Sequence, residues 1–378
     1  MLYPNAVLVE QENLAQGMRG ALLSALPAIG AEDILVVGAN DVIDPTAYRS
    51  TVAAGKQKGR NGALLGQTVA QYFPGGYLSV DGDRITGIVE KPGAGNEPSN
   101  LVNIVCHYHA DGAVLLEALR AIDDANDDGY GYEKALDGLF GTASYAAVPY
   151  DGAWQAVKYP WHLLSLLPIL LQDIQKPHIH KSASIHPTAV VEGPVVIEEG
   201  VKVFPHATIV GPCCIGKGSV IANNALVRQS SIGDHCVVGY NTEVKGSVLH
   251  SHVWTHMSYI GDSIIGRNVS FGGGSMTGNL RLDEGTIVSV VDGEKVDSGL
   301  QKFGAVIGDD CRLGVRTTMN PGVKIGSGTF VSSGALVEED IADKQFARMK
   351  AGVLQCSDNR GTTPNPEDRV NFRKTAGI

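Results

Sequence analysis

The sequence predicts two fold classes in one chain: an α/β domain over residues 1–176, then a left-handed parallel β-helix of hexapeptide repeats over 177–342, with a polar tail over 343–378. Two observations carry this. Before residue 177, apolar runs of strand length take turns with stretches of helical spacing, the pattern of an open, mainly parallel sheet. After Pro177, Ile or Val stands at 179, 185, 191, 197, 203, 209, 215, 221 and 227, a step of six without a miss. No α-helix keeps one face apolar at that step, and a plain strand alternates every second residue. Coils of three six-residue sides, each turning a branched aliphatic inward, satisfy it.

Taken in order, residues 6–9 form a short apolar run, and 14–26 have helical spacing with Leu22, Leu23 and Leu26 on one side. Residues 33–38 read as a buried strand and turn. Residues 61–69 and 77–91 read as strands, the second folded at Asp81-Gly82-Asp83. A strand over 100–107 precedes an amphipathic helix over 113–122, and a helix over 161–172, interrupted at Pro168, closes the first domain. In the second domain, small or β-branched residues sit two places before many of the aliphatic positions, as at Ala183, Val195, Cys213 and Ala225. The step slips by one at Ser231, continues through Ile232, Val238 and Val244, and resumes at Ile307, Leu313, Met319, Ile325, Val331 and Val337. Between these halves, 279–303 holds two strand-like runs around Asp292-Gly293, the mark of a protruding hairpin. Residues 348–378 read as a loosely held tail.

Composition narrows the function. A chain that is 43% apolar and 19% charged is not disordered. A formal charge of −10 and a pI near 5.5 argue against a nucleic-acid partner. The longest apolar stretch, around 163–171, falls far short of the roughly 20 residues of a membrane span. The first five residues carry no basic segment leading into an apolar run, so neither membrane insertion nor export is expected. Six cysteines without a Cys-x-x-Cys pair read as reduced thiols of a cytoplasmic protein.

A solenoid core has no pocket, so a site must form from residues exposed on its faces or between copies. The stretch 242–279 departs most from the repeat and carries Lys245, His250, His252, His256, Tyr259 and Asn279. The three histidines lack a nearby Cys or acidic cluster to complete a tetrahedral metal set, so no metal is expected. A single His acting as general base fits better, its ordinary pKa lying near neutrality. Gly216-Lys-Gly-Ser lacks the upstream Gly and the strand–helix context of a phosphate loop and reads as a solenoid corner. Gly272-Gly-Gly permits close approach of a ligand or a tight corner, and Asp309-Asp310 reads as a solvated corner. Cys213-Cys214 places one sulfur inward and one outward.

Thr255-His-Met-Ser-Tyr-Ile-Gly-Asp-Ser-Ile-Ile-Gly and Ser270-Phe-Gly-Gly-Gly-Ser-Met-Thr-Gly-Asn-Leu-Arg, with Lys302-Phe-Gly-Ala-Val-Ile-Gly-Asp-Asp and Asn320-Pro-Gly-Val-Lys-Ile-Gly, carry a resemblance. They look like the acetyltransferase segment of the N-acetylglucosamine-1-phosphate uridyltransferase/glucosamine-1-phosphate acetyltransferase family. The archaeal-type sugar-1-phosphate nucleotidylyltransferase/acetyltransferases are the most similar members. The resemblance implies acetyl transfer from acetyl-CoA to an amino-sugar 1-phosphate, glucosamine 1-phosphate foremost, in UDP-N-acetylglucosamine synthesis by a homotrimer built through the β-helix. It makes His256 the base, with Asn279 at the reacting centre. Arg228, Lys245, Tyr259 and Ser270 would meet the acceptor, and Gly273, Ser333, Arg348 and Lys350 the acyl donor. Cations for a dianionic phosphate and a neutral base for an ammonium proton form a coherent set. The chain departs from the family at Gln229, where members often have Pro, and at Ser270, where bacterial members have Asn. Gly285 and Val288 occupy the stretch where archaeal-type members place lysines.

The first domain resembles the C-terminal two thirds of a sugar nucleotidylyltransferase, a Rossmann-type sheet, through Gln11…Gly17-Met-Arg-Gly-Ala-Leu-Leu, Val36-Val-Gly-Ala-Asn-Asp and Glu90-Lys-Pro. On that resemblance Asp41, Glu90, Lys91 and Asn103 mark a degenerate nucleotide-sugar site. Nothing before Gly17 matches the Gly-rich loop that wraps a triphosphate. Met18 replaces a Thr, and Ala156 stands where the family has a metal-binding Asp. The expectation is an incomplete domain without productive Mg2+ binding or pyrophosphorylase activity. Two alternatives stay open: an inactive partner subunit of a working nucleotidylyltransferase, and a pyrophosphorylase whose start is truncated.

Overall fold

A computed structural model describes residues 6–28, 30–368, 370 and 371. The sequence readings of residues 1–5 and of the last seven residues lie outside the described residues. The chain divides into two compact units, Met1–Ala156 and Val157–Ile378.

In the first unit, residues 6–9 form no strand; Val7 and Leu8 are more than 80% exposed, with no strand paired to them. Helix α1 (Gly17–Ala25) follows a short turn whose Asn13 side chain accepts from the Ala15 N–H. Strands β1 (Ile34–Val37) and β2 (Asp41–Ile43) lead into α2 (Pro45–Gly55), which Asp44 caps ahead of Pro45. Strand β3 (Gly62–Thr68) and the hairpin β4 (Gly76–Asp81) and β5 (Arg84–Glu90) follow, then β6 (Leu101–His109). Helices α3 (Gly112–Arg120) and α4 (Gly131–Thr142) precede β7 (Tyr145–Tyr150) and β8 (Trp154–Ala156).

The main sheet runs β1-β6-β3-β7-β5-β4. Only β3 and β7 pair in parallel, so the sheet is mixed rather than mainly parallel. The connections explain this: β4 and β5 are joined by a tight turn, which links only antiparallel strands, whereas β3 and β7 are separated by a long crossover. Strand β1 is a half-buried edge strand and not a buried one, its neighbour being β6 on one side only. One sheet face packs Leu64, Leu78 and Ile85 against Leu115, Leu119, Leu136 and Phe140 of α3 and α4. The other packs Leu65, Ile104 and Cys106 against Ala47 of α2.

In the second unit the six-residue step becomes three parallel faces, two of them eight strands long. Along one face Ile197, Ile215, Ile232, Leu249, Ile265, Ile307 and Ile325 stand in register, none more than 2% exposed. This is the hexapeptide solenoid of a left-handed β-helix. The inward position two residues earlier is filled just as tightly, by Val195, Val201, Ala207, Cys213 and Ala225. Cys213 is buried and Cys214 half-buried, one on each side of the wall. The insertion is a hairpin, Val288–Val291 against Glu294–Asp297, turning at Asp292-Gly293.

Helix α5 (His162–Leu171) packs on Val248–Leu249, and Trp161 and Leu164 join Ile287 and Phe303 in a small separate core. The helix therefore belongs with the solenoid, and the boundary falls at 156/157 rather than 176/177. The outward residues of that face include Val196, Val248, Ile264 and Val306, half-buried apolar groups that gain from cover. The tail is also better held than its composition implies. Gln345–Lys350 and Val353–Asp358 form a hairpin that extends the third face. Beyond it, Asn359 Nδ2 donates to Gly328 O at 2.7 Å and Thr363 Oγ1 to Asp310 O at 3.0 Å, and Val370 is only 8% exposed. Among the described residues, no helix is long and apolar enough to cross a membrane.

Candidate functional site

Period-two alternation on the second eight-stranded face fixes what points outward. Val227, Val244 and Ile260 are fully buried, so their neighbours face out. In register, Arg228, Lys245 and Gly261 make one column, and Glu243, Tyr259 and Met276 make the column beside it. Neighbouring strands lie about 4.8 Å apart, so residues far apart in sequence share one small patch. Arg228 Nη2 pairs with Glu243 Oε1 at 2.5 Å, and Lys245 Nζ with Asp262 Oδ2 at 2.9 Å. The Asn279 Nδ2 donates to the Tyr259 Oη at 3.1 Å and to Asp262 Oδ2 at 2.5 Å. Gly261 makes this possible. A Cβ there would lie 2.5 Å from Tyr259 Oη and 2.7 Å from Asn279 Nδ2.

His256 is exposed at the corner that leads into this face. Just after it, Met257 adopts a left-handed backbone, as do Asn241, Gly274, Arg316 and Gly334 at the same corner of other coils. Backbone bonds align the preceding residues: Met257 N donates to Tyr240 O, Gly274 N to His256 O, Arg316 N to Gly273 O and Gly334 N to Val315 O. His256, Gly273 and Ser333 therefore lie along one edge. Arg348 and Lys350 lie on the strand after the last coil. Ser270 is on the third face, paired with Trp254 and Arg312, apart from Arg228, Lys245, Tyr259 and Asn279. His252 belongs to the preceding corner, stacked on His235 at 5.3 Å, so His250, His252 and His256 do not converge. Asp309 and Asp310 cap the turn: Asp309 accepts from Arg267 N and Asp310 from Asn268 Nδ2.

Sequence reasoning missed Glu243 and Asp262. Glu243 stands two residues before Lys245 and Asp262 lies inside the stretch that begins at Thr255, but their partners are 15–17 residues away, one coil on. Only the coil length reveals that spacing as adjacency.

In the first unit, Asp41 and Ala156 are direct cross-strand partners. Where a metal would need two carboxylates this pair offers one, and Asp41 Oδ1 accepts from Trp154 Nε1 at 2.9 Å. No group of three Asp, Glu, His or Cys able to hold a metal occurs among the described residues. Lys91 lies 4.9 Å from the centre of the Tyr130 ring and 3.7 Å from Glu90. Asn103 Oδ1 bonds His107 Nε2 at 2.9 Å. Burial, with Glu90 and Asp127 adding to it, pushes the Glu133 carboxyl up to about 7.

The GMPPB C-terminal domain family matches residues 174–274. The chain is similar to the bifunctional protein GlmU of Methanococcus vannielii, 32% identical over 58% of this chain and 53% of that protein. The same protein of Methanococcus aeolicus is 32% identical over 74% of this chain and 67% of its own length. The matched segments thus span about half to two thirds of these relatives. A UDP-glucose pyrophosphorylase of Acinetobacter baumanii aligns at 19% identity and a TM-score of 0.38, over 45% of this chain and 63% of that one. With a solenoid that stacks the motif residues on one face and relatives aligned well beyond that solenoid, the chain belongs to the family of bifunctional GlmU-type sugar-1-phosphate nucleotidylyltransferase/acetyltransferases.

Proposed function

We propose that the second unit transfers the acetyl group of acetyl-CoA to the amine of an amino-sugar 1-phosphate, with glucosamine 1-phosphate as the first candidate, in nucleotide-sugar synthesis. The observation that carries this is the column Arg228–Lys245–Gly261 beside Glu243–Tyr259, with Asn279 closing it and His256 exposed at the adjoining corner. Lys245 and Arg228 would hold the phosphate, each exchanging part of its carboxylate pairing for the more highly charged ligand. The amine nitrogen attacks the acyl carbon, a C–N bond forms and the C–S bond breaks. The His256 ring takes the proton from nitrogen and returns it to the departing sulfur. The donor would lie along the edge of His256, Gly273 and Ser333 toward Arg348 and Lys350. Exposed Met276, Leu280, Leu282 and Leu336 suit contact with further copies, consistent with a trimer around the site. Six cysteines, all thiols, suit the cytoplasm, where acetyl-CoA chemistry belongs.

For the first unit we propose no pyrophosphorylase activity, because a single carboxylate opposite Ala156 leaves phosphoryl charge poorly stabilised. The test of the main proposal is release of free coenzyme A from acetyl-CoA over a panel of amino sugars and their phosphates. His256→Ala should lower turnover by at least ~100-fold while the fold is kept. Turnover within threefold of the unsubstituted protein would sink the assignment of the base.

A further inference from the structure

Asp262 is the one residue of the patch that touches both a phosphate-side cation and the amide at the reacting end. Its Oδ1 and Oδ2 lie 3.2 and 2.9 Å from Lys245 Nζ, and Oδ2 also accepts from Asn279 Nδ2. The carboxylate occupies space left by a missing side chain: a Cβ on Gly246 would stand 2.5 Å from Asp262 Oδ1. The Asp262 and Lys245 side chains are 15% and 17% exposed, so the pairing is enclosed on most sides.

We infer that Asp262 is a positioning residue that sets which end of the Asn279 amide meets the acceptor and restrains Lys245 until a phosphate arrives. This rests on the acetyltransferase function proposed above. A carboxylate offers only acceptors, so the amide end turned toward Asp262 is the NH2 group. Its two hydrogens go to Asp262 and to Tyr259 Oη. Oδ1 is the end left for the acceptor, and it accepts hydrogen bonds only. Asn279 then receives an N–H or O–H of the sugar, orienting an amine for attack, and does not contact the acyl oxygen. The same carboxylate opposes an incoming phosphate twice: it repels the dianion and it partly neutralises Lys245. Orientation is gained at the expense of affinity.

Asp262→Asn separates these effects. Asp262 has a left-handed backbone (φ 46°), which Asn accommodates, so the corner should form unchanged. With the charge removed, the Asn279 amide is free to flip and Lys245 is released. In steady-state assays with acetyl-CoA and glucosamine 1-phosphate, kcat should fall about tenfold or more, the scale of a lost charge-assisted hydrogen bond. KM for the sugar phosphate should fall about threefold, as the like charge is gone. A defect of packing alone would raise KM and lower the melting temperature together, and that pattern, or an unchanged kcat, overturns the inference. If the unsubstituted protein acetylates no amino sugar, the acetyltransferase proposal fails on its own. Equilibrium titration with inorganic phosphate then decides the role of Asp262. Tighter binding by the Asn variant supports the restraint on Lys245, and equal or weaker binding overturns it.

Discussion

Two buried histidines in the first unit give its stability a pH dependence that can be worked out. His107 and His109 sit side by side on one face of β6, both fully buried. The His107 Nδ1 is 2.7 Å from Tyr132 Oη and its Nε2 is 2.9 Å from Asn103 Oδ1, so Nε2 donates to the amide oxygen and Nδ1 accepts from the phenol. The His109 Nδ1 meets Tyr145 Oη at 2.9 Å. Burial pushes both rings from the usual 6.5 down to about 3, with the His109 charge adding to the effect on His107. A depressed folded pKa means that below 6.5 the unfolded chain binds more protons, so stability is full above 6.5 and declines toward 3. Between pH 7.5 and 5 each histidine removes about 2 kcal/mol, so the two together remove about 4 kcal/mol. Glu133 acts in the opposite sense. Its folded value near 7 lies above the ordinary 4.5, so it adds about 2.5 kcal/mol on the same descent. The net loss is about 1.5 kcal/mol in the unsubstituted unit. Glu133→Gln removes the compensating gain and should restore the whole loss of about 4 kcal/mol. His107→Gln/His109→Gln should turn the loss into a gain. Hydrogen exchange of peptides from β6 and α4, corrected for the intrinsic pH dependence of exchange, reads this unit by itself. Equal pH slopes for the unsubstituted protein and Glu133→Gln would refute the reasoning, with no need for the histidine variant to fold. The window stops at pH 5 because the lowered carboxylates, such as Asp33 and Asp128, act below it.

Two further outcomes test the solenoid. Gly261→Ala should drive Tyr259 and Asn279 apart, cutting acetyl transfer at least ~10-fold while the melting temperature moves little, since the Cβ collides with side chains rather than backbone. Thermal unfolding beside the activity assay checks it, and full activity would show that the cluster is not needed. Ile209→Ala empties a fully buried rung of the coil core and should cost about 2–5 kcal/mol in denaturant unfolding of the second unit. A loss below about 1 kcal/mol would mean that the coil collapses around the gap.

The six-residue aliphatic step by itself determined the solenoid and its corners, because each coil closes locally and repeats the same demand on composition; the insertion hairpin was legible instead from its Asp292-Gly293 turn between two strand-like runs. The stretches Thr255–Asp262 and Gly278-Asn279 likewise stood out in the sequence, and their residues Tyr259, Asp262 and Asn279 gather in one patch. The sequence misled on matters that depend on what packs against what. The direction of β6 and its neighbours is set by pairing across long connections, which no local pattern encodes. The 161–172 helix looks the same whether it covers a sheet or a solenoid. It joined the solenoid because Val248, Ile264 and Val306 left an apolar strip to cover. The tail beyond 358 is polar, yet its side chains bond solenoid backbone. Most of all, only tertiary structure brought Asp262 to Lys245 and Asn279. Contacts between coils join residues about one coil apart, and that distance becomes contact only when every corner in between has turned.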